Sequence, residues 1–205
     1  RRALIPYLEM ADLVPGDRPI QLTGIAARVG NISFSEIACM AALIKHSNAS
    51  AIFEIGTFDG RTTLEMAASS RPDARIFTLD LPKEKMKETM FPLADGEEMY
   101  VDKKVSGEKF LGTAWEKKIT QLFGDSATFD FSPYYDAMDF VFVDGSHSYE
   151  YVLHDMVLAK KLLKKGSGLI ACHDYITWAG VTKALNKLYL TQQEFRNLRH
   201  IKGTS

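Results

Sequence analysis

Short apolar runs alternate with amphipathic stretches along most of the chain, and this alternation constrains the fold more than any other feature. Runs rich in β-branched and aromatic residues, each bounded by turn formers, predict strands. They lie at residues 51–55, 75–79, 119–123, 138–143 and 168–172, with a sixth at 197–201. Apolar residues at helical spacing predict helices over 61–69, 149–163 and 181–190. Strands that alternate with helices predict an α/β fold with a Rossmann-like, doubly wound, mostly parallel sheet.

The chain of 205 residues is long enough for one domain with a substantial core. We divide it into an N-terminal helical segment, residues 1–48, and the alternating domain, residues 49–205. In the first part, Ser33 and Glu36 have the spacing of a helix capping box. Residues 81–118 interrupt the alternation, because they are mixed in charge and broken by proline and glycine. We interpret them as an insertion, either a lid over the sheet or a solvated connection.

The composition narrows the range of partners. Lys and Arg number 25 against 26 Asp and Glu, so the chain lacks the basic excess that is typical of nucleic-acid binding. No apolar stretch approaches the roughly 20 residues of a membrane span. Cys39 and Cys172 lie in apolar runs, which predicts buried free thiols and a cytoplasmic location. We therefore expect no nucleic-acid partner and no membrane partner, and we leave a homo-oligomer open.

A glycine-containing segment, from Glu54 to Thr63 (EIGTFDGRTT), lies between a predicted strand and a predicted helix, where open α/β sheets bind nucleotides. A phosphate-binding P-loop needs Gly-Lys-Ser/Thr, whereas here Gly60 is followed by Arg61. A dinucleotide-binding loop is the stronger rival, because Asp80 follows the second strand at the place of the ribose-binding acid.

Two residues of this loop count against a dinucleotide. Phe58 stands where the second glycine of that motif should be and would obstruct a pyrophosphate. Asp59 would place a carboxylate near two phosphates, and their repulsion grows in a low-dielectric cleft. S-adenosylmethionine carries a sulfonium cation and an amino group but no phosphate, so an acidic loop suits it.

Five segments, each at the end of a predicted strand, resemble the motifs of class I S-adenosylmethionine-dependent methyltransferases in the family's order. Glu54-x-Gly56-x-x-x-Gly60 resembles the first motif in the form that small-molecule O-methyltransferases share, and residues 144–147 (DGSH) resemble the active-site segment. The chain is similar to a bacterial branch with a DGSHSYE segment. The resemblance implies a set of residues that bind S-adenosylmethionine, namely Glu54, Gly56, Thr57, Phe58, Gly60, Asp80, Leu81, Gly124, Asp125, Ser126 and Asp144.

The resemblance also implies how the sheet should end and what the chain should act on. Methyltransferases of this class usually finish with a sixth and a seventh strand. Residues 197–201 would be the sixth, and we expect the final strand to be missing. The methyl acceptor is expected to be a small molecule, because the resemblance is to enzymes that methylate such acceptors through oxygen.

Four titratable residues after two neighbouring strands form the candidate reaction centre: Asp144, His147, His173 and Asp174. Methyl transfer to a hydroxyl requires alignment of the acceptor and removal of its proton. His147 is the first candidate for general base, since a reference pKa of about 6.5 suits neutral pH, and Asp144 and His173 complete the catalytic set. The resemblance implies that Asp144 and Asp174 correspond to oxygen ligands of a divalent metal such as Mg²⁺.

The sequence thus predicts a methyltransferase that moves the methyl group of S-adenosylmethionine in line to an oxygen of a small molecule, with general-base assistance. Two alternatives stay open. One is an NAD-dependent oxidoreductase on a similar fold. The other is a non-catalytic module that keeps the cofactor-binding fold.

Overall fold

The computed structural model describes residues 2–16, 19–24 and 27–205, so Arg1, Asp17, Arg18, Ile25 and Ala26 of the predicted N-terminal segment lie outside it. The strands are β1 (Tyr7–Leu8), β2 (Ala51–Ile55), β3 (Arg75–Asp80), β4 (Ile119–Phe123), β5 (Phe140–Val143), β6 (Leu169–Cys172) and β7 (His200–Ile201). The α-helices are α1 (Met10–Leu13), α2 (Phe34–Ser47), α3 (Arg61–Ser69), α4 (Glu98–Val101), α5 (Tyr149–Leu162) and α6 (Ala179–Thr191).

The central sheet has five parallel strands in the order β4-β3-β2-β5-β6, which confirms the predicted Rossmann-like fold. The chain winds outward from β2 in both directions, so the strand order reverses between β2 and β5. In-register pairs join Ile55 to Leu79 on one side and Ile55 to Val143 on the other. The carboxyl ends of these strands therefore meet at one edge, at the switch point where open α/β sheets bind ligands.

Two apolar cores cover the two faces of the sheet. Phe53 and Val141 belong to the core that includes residues of α5 and α6, and Ile52 and Phe140 belong to the core that includes residues of α2 and α3. Neighbouring residues of a strand thus face opposite cores, which is why a central strand such as β5 is a continuous apolar run. The predicted capping box at the start of α2, between Ser33 and Glu36, is confirmed.

The predicted sixth strand of the sheet is wrong. Within residues 197–201 only His200 and Ile201 form a strand, and they pair in parallel with Tyr7 and Leu8, apart from the central sheet. The backbone N–H of His200 donates to the carbonyl of Pro6. The N-terminal segment therefore supplies the pairing partner, which the local sequence of 197–201 did not reveal.

Residues 81–118 form the predicted interruption and contain little regular structure. A 3-10 turn at Lys83–Lys85, helix α4 and a second 3-10 turn at Glu116–Lys118 are their regular elements in the described structure. The insertion is bonded to the glycine-containing loop, since the N–H of Gly107 donates to the carbonyl of Phe58 at 3.0 Å.

Two further properties bear on the sequence predictions. Among the described residues, no helix combines the length and the apolar character needed to cross a bilayer. Cys39 and Cys172 are free thiols, as predicted, but both side chains are only partly buried.

Candidate active site

A cleft of about 280 Å³ opens at the carboxyl edge of the sheet. It brings together loops that follow all five central strands with part of the insertion. Its lining contains most of the predicted site residues, namely Gly56, Thr57, Phe58, Asp80, Leu81, Gly124, Asp125, Ser126, Asp144, His147, His173 and Asp174. The same lining includes residues that the sequence analysis did not assign to the site, among them Gly30, Asn31, Glu97, Tyr100 and Lys103.

The loop after β2 needs glycine at its first position. Gly56 has a φ of 99°, and a Cβ there would lie 2.0 Å from the carbonyl oxygen of Asp144. Gly60, with a φ of 83°, precedes helix α3 and packs against Phe110 of the insertion. Gly60 does not line the cleft.

Glu54 lies behind the cleft and does not line it. Its side chain is fully buried in β2, where the hydroxyls of Thr63 and Thr78 donate to Oε2. Burial raises the pKa of Glu54 to about 8, and the two hydroxyl hydrogen bonds only partly oppose that rise. The side chain is therefore mostly protonated at pH 7. In this structure Glu54 connects β2 to Thr63 of α3 and to Thr78 of β3, and its side chain does not face the cleft.

Asp80 lines the cleft and is bonded to the insertion. The ammonium of Lys103 lies 2.8 Å from its Oδ2, and the hydroxyl of Ser106 donates to the same oxygen. Both members of the ion pair are largely buried. The nitrogen of Gln121 in turn donates to Ser106 at 2.6 Å. One carboxylate oxygen of Asp80 is thus held by the insertion.

Asp125 is also held on several sides. Its Oδ2 accepts a hydrogen bond from the N–H of Met90 in the insertion at 2.8 Å. Its Oδ1 accepts from the N–H of Ala127 at 2.9 Å and from the hydroxyl of Tyr151 at 2.7 Å. These contacts fix the turn after β4, so that Gly124 and Ser126 face the cleft.

His147 follows β5 and lies between two carboxylates. Its Nδ1 is 2.5 Å from Oε1 of Glu97, and its Nε2 is 2.9 Å from Oδ2 of Asp174. The ring stacks on Trp178 with 4.3 Å between the ring centres. Burial alone would lower the pKa of His147, but its bonds to Asp174 and Glu97 outweigh burial and raise the pKa to about 9. The ring therefore holds its proton more tightly than an exposed imidazole does.

His173 lies at the centre of a second group of carboxylates. Its Nδ1 is 3.3 Å from Asp144 and 3.1 Å from Asp174, and its Nε2 is 3.3 Å from Glu36 at the start of α2. The hydroxyl of Ser205 lies 2.9 Å from the same Nε2. Burial would lower the pKa of His173, but these carboxylates raise it well above its usual range.

A divalent cation fits three of these residues. One ligand atom from each of Asp144, His173 and Asp174 lies within 4.8 Å of the others. The two carboxylates supply the oxygen ligands that Mg²⁺ prefers, whereas an imidazole ligand is more common with Fe²⁺, Ni²⁺ or Zn²⁺. His173 is therefore a third candidate ligand beside Asp144 and Asp174, which stay predictions.

Residues of the insertion and of the N-terminal segment are the part of the site that sequence reasoning missed. Glu97, Tyr100 and Lys103 carry no motif, and Asn31 and Glu36 precede the first central strand. For Glu36 the available signal was the capping box, which explains its backbone role but not its contact with His173.

The comparisons with known proteins agree with this geometry. Residues 53–175 match a family model described as "Methyltransferase domain". A protein of Arabidopsis thaliana named "Putative caffeoyl-CoA O-methyltransferase" is 30% identical over 158 residues, which are 75% of this chain. The chain spans 60% of the length of that plant protein.

Solved O-methyltransferase structures share the fold. TomG from Streptomyces achromogenes, solved in complex with SAM, matches with a TM-score of 0.53 at 18% identity, over 82% of this chain and 71% of TomG. The O-methyltransferase from Bacillus cereus, solved in complex with SAH, matches with a TM-score of 0.53 at 15% identity, over 80% of this chain and 73% of that protein.

Proposed function

Because the chain belongs to the class I S-adenosylmethionine-dependent methyltransferases, in the O-methyltransferase family, we propose that it transfers the methyl group of S-adenosylmethionine to a hydroxyl oxygen of a small molecule. The family membership sets aside the NAD-dependent oxidoreductase. The observation that carries the proposal is the cleft, since one cavity holds the loop after β2, the acids after β3 and β4, and a cluster of titratable residues after β5 and β6.

The chemistry of the cleft suggests where each part of the cofactor binds. The loop from Gly56 to Phe58 has no phosphate-binding pattern, and we place the methionine part of the cofactor against it. Asp80 has one oxygen that Lys103 and Ser106 leave unengaged, and we assign this oxygen to a ribose hydroxyl. We place the adenine beside Ser126, in the turn that follows β4.

We propose that Leu81, Gly124 and Asp125 complete the adenosine site, with Asp144 beside the methionine part of the cofactor. Gly60 and Glu54 act on the loop indirectly. Gly60 turns the chain into α3, and Glu54 accepts a hydrogen bond from Thr78, whose hydroxyl also contacts that of Thr57 in the loop.

The transfer itself is a displacement at the methyl carbon. The bond from carbon to the acceptor oxygen forms while the bond from carbon to sulfur breaks, and its electron pair returns to sulfur. The hydroxyl proton must leave the acceptor. We assign the handling of this proton to the cluster of Asp144, His147 and His173. A protonated His147 has one N–H group toward Glu97 and one toward Asp174, and it must lose one of these two protons before it can act as a base.

A divalent cation fits the proposed function. Asp144, Asp174 and His173 would hold it. When bound, such a cation lowers the pKa of an acceptor hydroxyl and orients it. His173 would have to be neutral to act as a ligand, since metal ligands bind in their deprotonated forms.

The acceptor is proposed to be small and without phosphates. Among the lining residues that the structure describes, Lys103 is the one Lys or Arg, and it is paired with Asp80. Phosphates of an acceptor would need cations beyond the cleft. The cytoplasmic location stays a prediction.

Calorimetry with S-adenosylhomocysteine and, separately, with NADH tests the cofactor. We expect the first to bind and the second to show no heat. Methylation of 3,4-dihydroxybenzoate, with Mg²⁺ and then with excess EDTA, tests catalysis and the metal. Binding of S-adenosylhomocysteine without methylation of any acceptor in a broad panel of hydroxyl compounds would favour the non-catalytic module, and absence of binding would overturn the proposal.

His147→Ala tests the reaction centre. We expect turnover to fall by about a hundredfold or more, the lower range for loss of a general acid–base residue, while affinity for S-adenosylhomocysteine changes little. The matched control is His154→Ala, because His154 does not line the cleft. Unchanged turnover in His147→Ala would reject its catalytic role.

A further inference from the structure

The insertion carries one carboxylate that reaches the reaction centre. Glu97 immediately precedes α4, and its side chain is almost completely buried. Its Oε1 accepts a hydrogen bond from the backbone N–H of His147 and faces the ring nitrogen Nδ1 of the same residue. Its Oε2 accepts from the hydroxyl of Ser146 at 2.8 Å and from the N–H of Ala94 at 2.7 Å. Three of these four contacts therefore come from the loop after β5.

These contacts fix the orientation of the His147 ring. An imidazole turns about one bond to its Cβ, and here both ring nitrogens are engaged, with Glu97 on one side and Asp174 on the other. Trp178 stacks on the ring with an interplanar angle of 13°. Removing the Glu97 contact would leave Nδ1 without its partner and free the ring to turn away from Asp174.

A second residue of the same short segment supports this arrangement. Tyr100 lies three residues after Glu97 and packs edge-on against the His147 ring, with 6.0 Å between the ring centres. The Tyr100 ring also packs edge-on against Phe58 of the loop after β2, at 5.8 Å. The segment around α4 thus touches both the proposed cofactor loop and the reaction centre.

We propose that Glu97 is the positioning residue through which the insertion orients His147, so that the reaction centre is complete only when residues 81–118 cover the cleft. The proposal rests on the proposed function for the role of His147. Glu97 touches neither cofactor nor acceptor in this scheme. It acts through His147.

The position requires a carboxylate. Both oxygens of Glu97 accept hydrogen bonds from backbone N–H groups, one from Ala94 and one from His147. An amide of the same shape would turn its NH₂ group toward one of these N–H groups, so one acceptor is lost in either orientation. Glu97→Gln is therefore a disruptive change at nearly constant volume.

Glu97→Gln and Glu98→Gln make a matched pair for the test, because Glu98 is the next residue and its side chain is exposed. The ring nitrogens are followed by ¹⁵N NMR, with His147 assigned from a His147→Gln variant. Affinity for S-adenosylhomocysteine is measured by calorimetry, and turnover with the acceptor that the methylation panel identifies. We expect Glu97→Gln to shift the His147 signals and lower turnover by about tenfold or more, the loss expected for a misplaced reacting group, with affinity changed less than turnover.

Several outcomes separate this inference from the proposed function. Ring signals and turnover in Glu97→Gln that match those of Glu98→Gln would overturn the positioning role, even if S-adenosylhomocysteine binds normally. Failure of the unmodified protein to bind S-adenosylhomocysteine would instead overturn the proposed function, while the ring signals would still test the orientation. If Glu97→Gln does not fold, the ¹⁵N NMR signals of the unmodified protein test the contact instead. Absence of a hydrogen-bonded proton on Nδ1 of His147 would then contradict the contact with Glu97.

Discussion

Gly56 turns the chain directly beneath the backbone of Asp144, so the loop after β2 and the reaction centre meet at this residue. A side chain here meets two obstacles. A positive φ costs an L-residue about 1–2 kcal/mol, and the added Cβ would collide with a carbonyl group that belongs to the neighbouring strand end. Backbone cannot move aside as a flexible side chain would.

Gly56→Ala is therefore expected to lower the free energy of unfolding by about 3 kcal/mol or more, the sum of the strain and a typical overpacking cost. Gly166→Ala is the control, since Gly166 also has a positive φ but open space around its Cβ. The control should lose only about 1–2 kcal/mol. Urea denaturation measures both, and equal losses in the two variants would show that the close approach to Asp144 carries no cost.

The raised pKa of Glu54 makes the free energy of unfolding depend on pH. Burial raises its pKa to about 8 in the folded protein, above the value near 4.5 of an exposed glutamate. The folded state therefore binds this proton more tightly. The resulting stabilisation is fully present below the unfolded pKa and is lost as pH rises toward the folded pKa.

We expect the melting temperature of the unmodified protein to fall relative to that of Glu54→Gln between about pH 5 and pH 8. The corresponding free energy of unfolding falls by at most about 1.4 kcal/mol per pH unit for one proton. Glu84→Gln removes an exposed glutamate and should track the unmodified protein. A constant difference between Glu54→Gln and the unmodified protein across this range would contradict the raised pKa.

Sequence reasoning identified those site residues that lie at the ends of predicted strands. Asp80 and Asp144 follow directly from predicted strands, and parallel strands bring such positions to one edge. Glu97 and Lys103 were missed for a physical reason. Glu97 reaches His147 across a separation of 50 residues, and the insertion that carries it has no periodicity to indicate which side chains face inward.

At the scale of elements, β2 and β5 were the most predictable central strands, because they are buried almost throughout and are mostly apolar. Strand β4 gives a weaker signal, because it is only partly buried and contains Thr120 and Gln121. The pairing of the strand at residues 197–201 was not predictable. Residues 197–201 contain a short strand of two residues. The position of so short a strand is determined by the strand that lies beside it, which here is β1. Nothing local in either segment specifies that pairing, so the prediction placed it in the wrong sheet.

Asp139 connects three elements through one carboxylate. Its Oδ2 accepts hydrogen bonds from the N–H of Ser50 at 2.9 Å and from the N–H of Ala51 at 3.0 Å, where β2 begins. Its Oδ1 lies 2.6 Å from the ammonium of Lys164, which follows α5. Burial would raise the pKa of Asp139, but the bonds to Lys164 and Ser50 outweigh it and lower the pKa to about 2.

Asp139→Asn should destabilise the fold by about 1–2 kcal/mol at neutral pH, since the amide keeps one acceptor but loses the charged partner of Lys164. Because the folded pKa is depressed, the stabilisation is present above the unfolded pKa of about 3.8 and disappears as pH falls through about 2. Asp136→Asn, at an exposed carboxylate paired loosely with Lys165, is the control. Chemical denaturation at neutral and at acid pH gives the comparison, and an equal effect of both variants would contradict the connecting role.

At the scale of the whole molecule, the net charge of the chain differs from the charge of its cleft. The chain is nearly neutral, at −1, so its long-range field is weak. The cleft concentrates acids, because carboxylates at the ends of parallel strands meet others from the loops and the insertion. The basic residues of its lining are Lys103, His147 and His173. Its lining also includes six residues with carboxylates, namely Asp59, Asp80, Glu97, Asp125, Asp144 and Asp174.

This local excess of acids should distinguish the cofactor from its product. S-adenosylmethionine carries one positive charge more than S-adenosylhomocysteine, at the sulfonium, and the two are otherwise nearly the same size. Raising salt from about 50 mM to about 500 mM shortens the screening length from roughly 14 Å to roughly 4 Å, which weakens attraction to partly exposed carboxylates. We expect the affinity for S-adenosylmethionine to fall by about two- to fivefold more than the affinity for its product, a factor that corresponds to less than about 1 kcal/mol.

Calorimetry with both nucleosides at both salt concentrations measures this difference, and Asp144→Asn supplies an internal check. Asp144 lies at the meeting point of the β2 loop and the reaction centre, so removing its charge should shrink the salt-dependent difference between the two nucleosides. Asp136→Asn, remote from the cleft, should leave the difference intact. If salt weakens binding of both nucleosides equally, the acids of the cleft do not recognise the sulfonium charge, and shape and hydrogen bonding must account for cofactor choice.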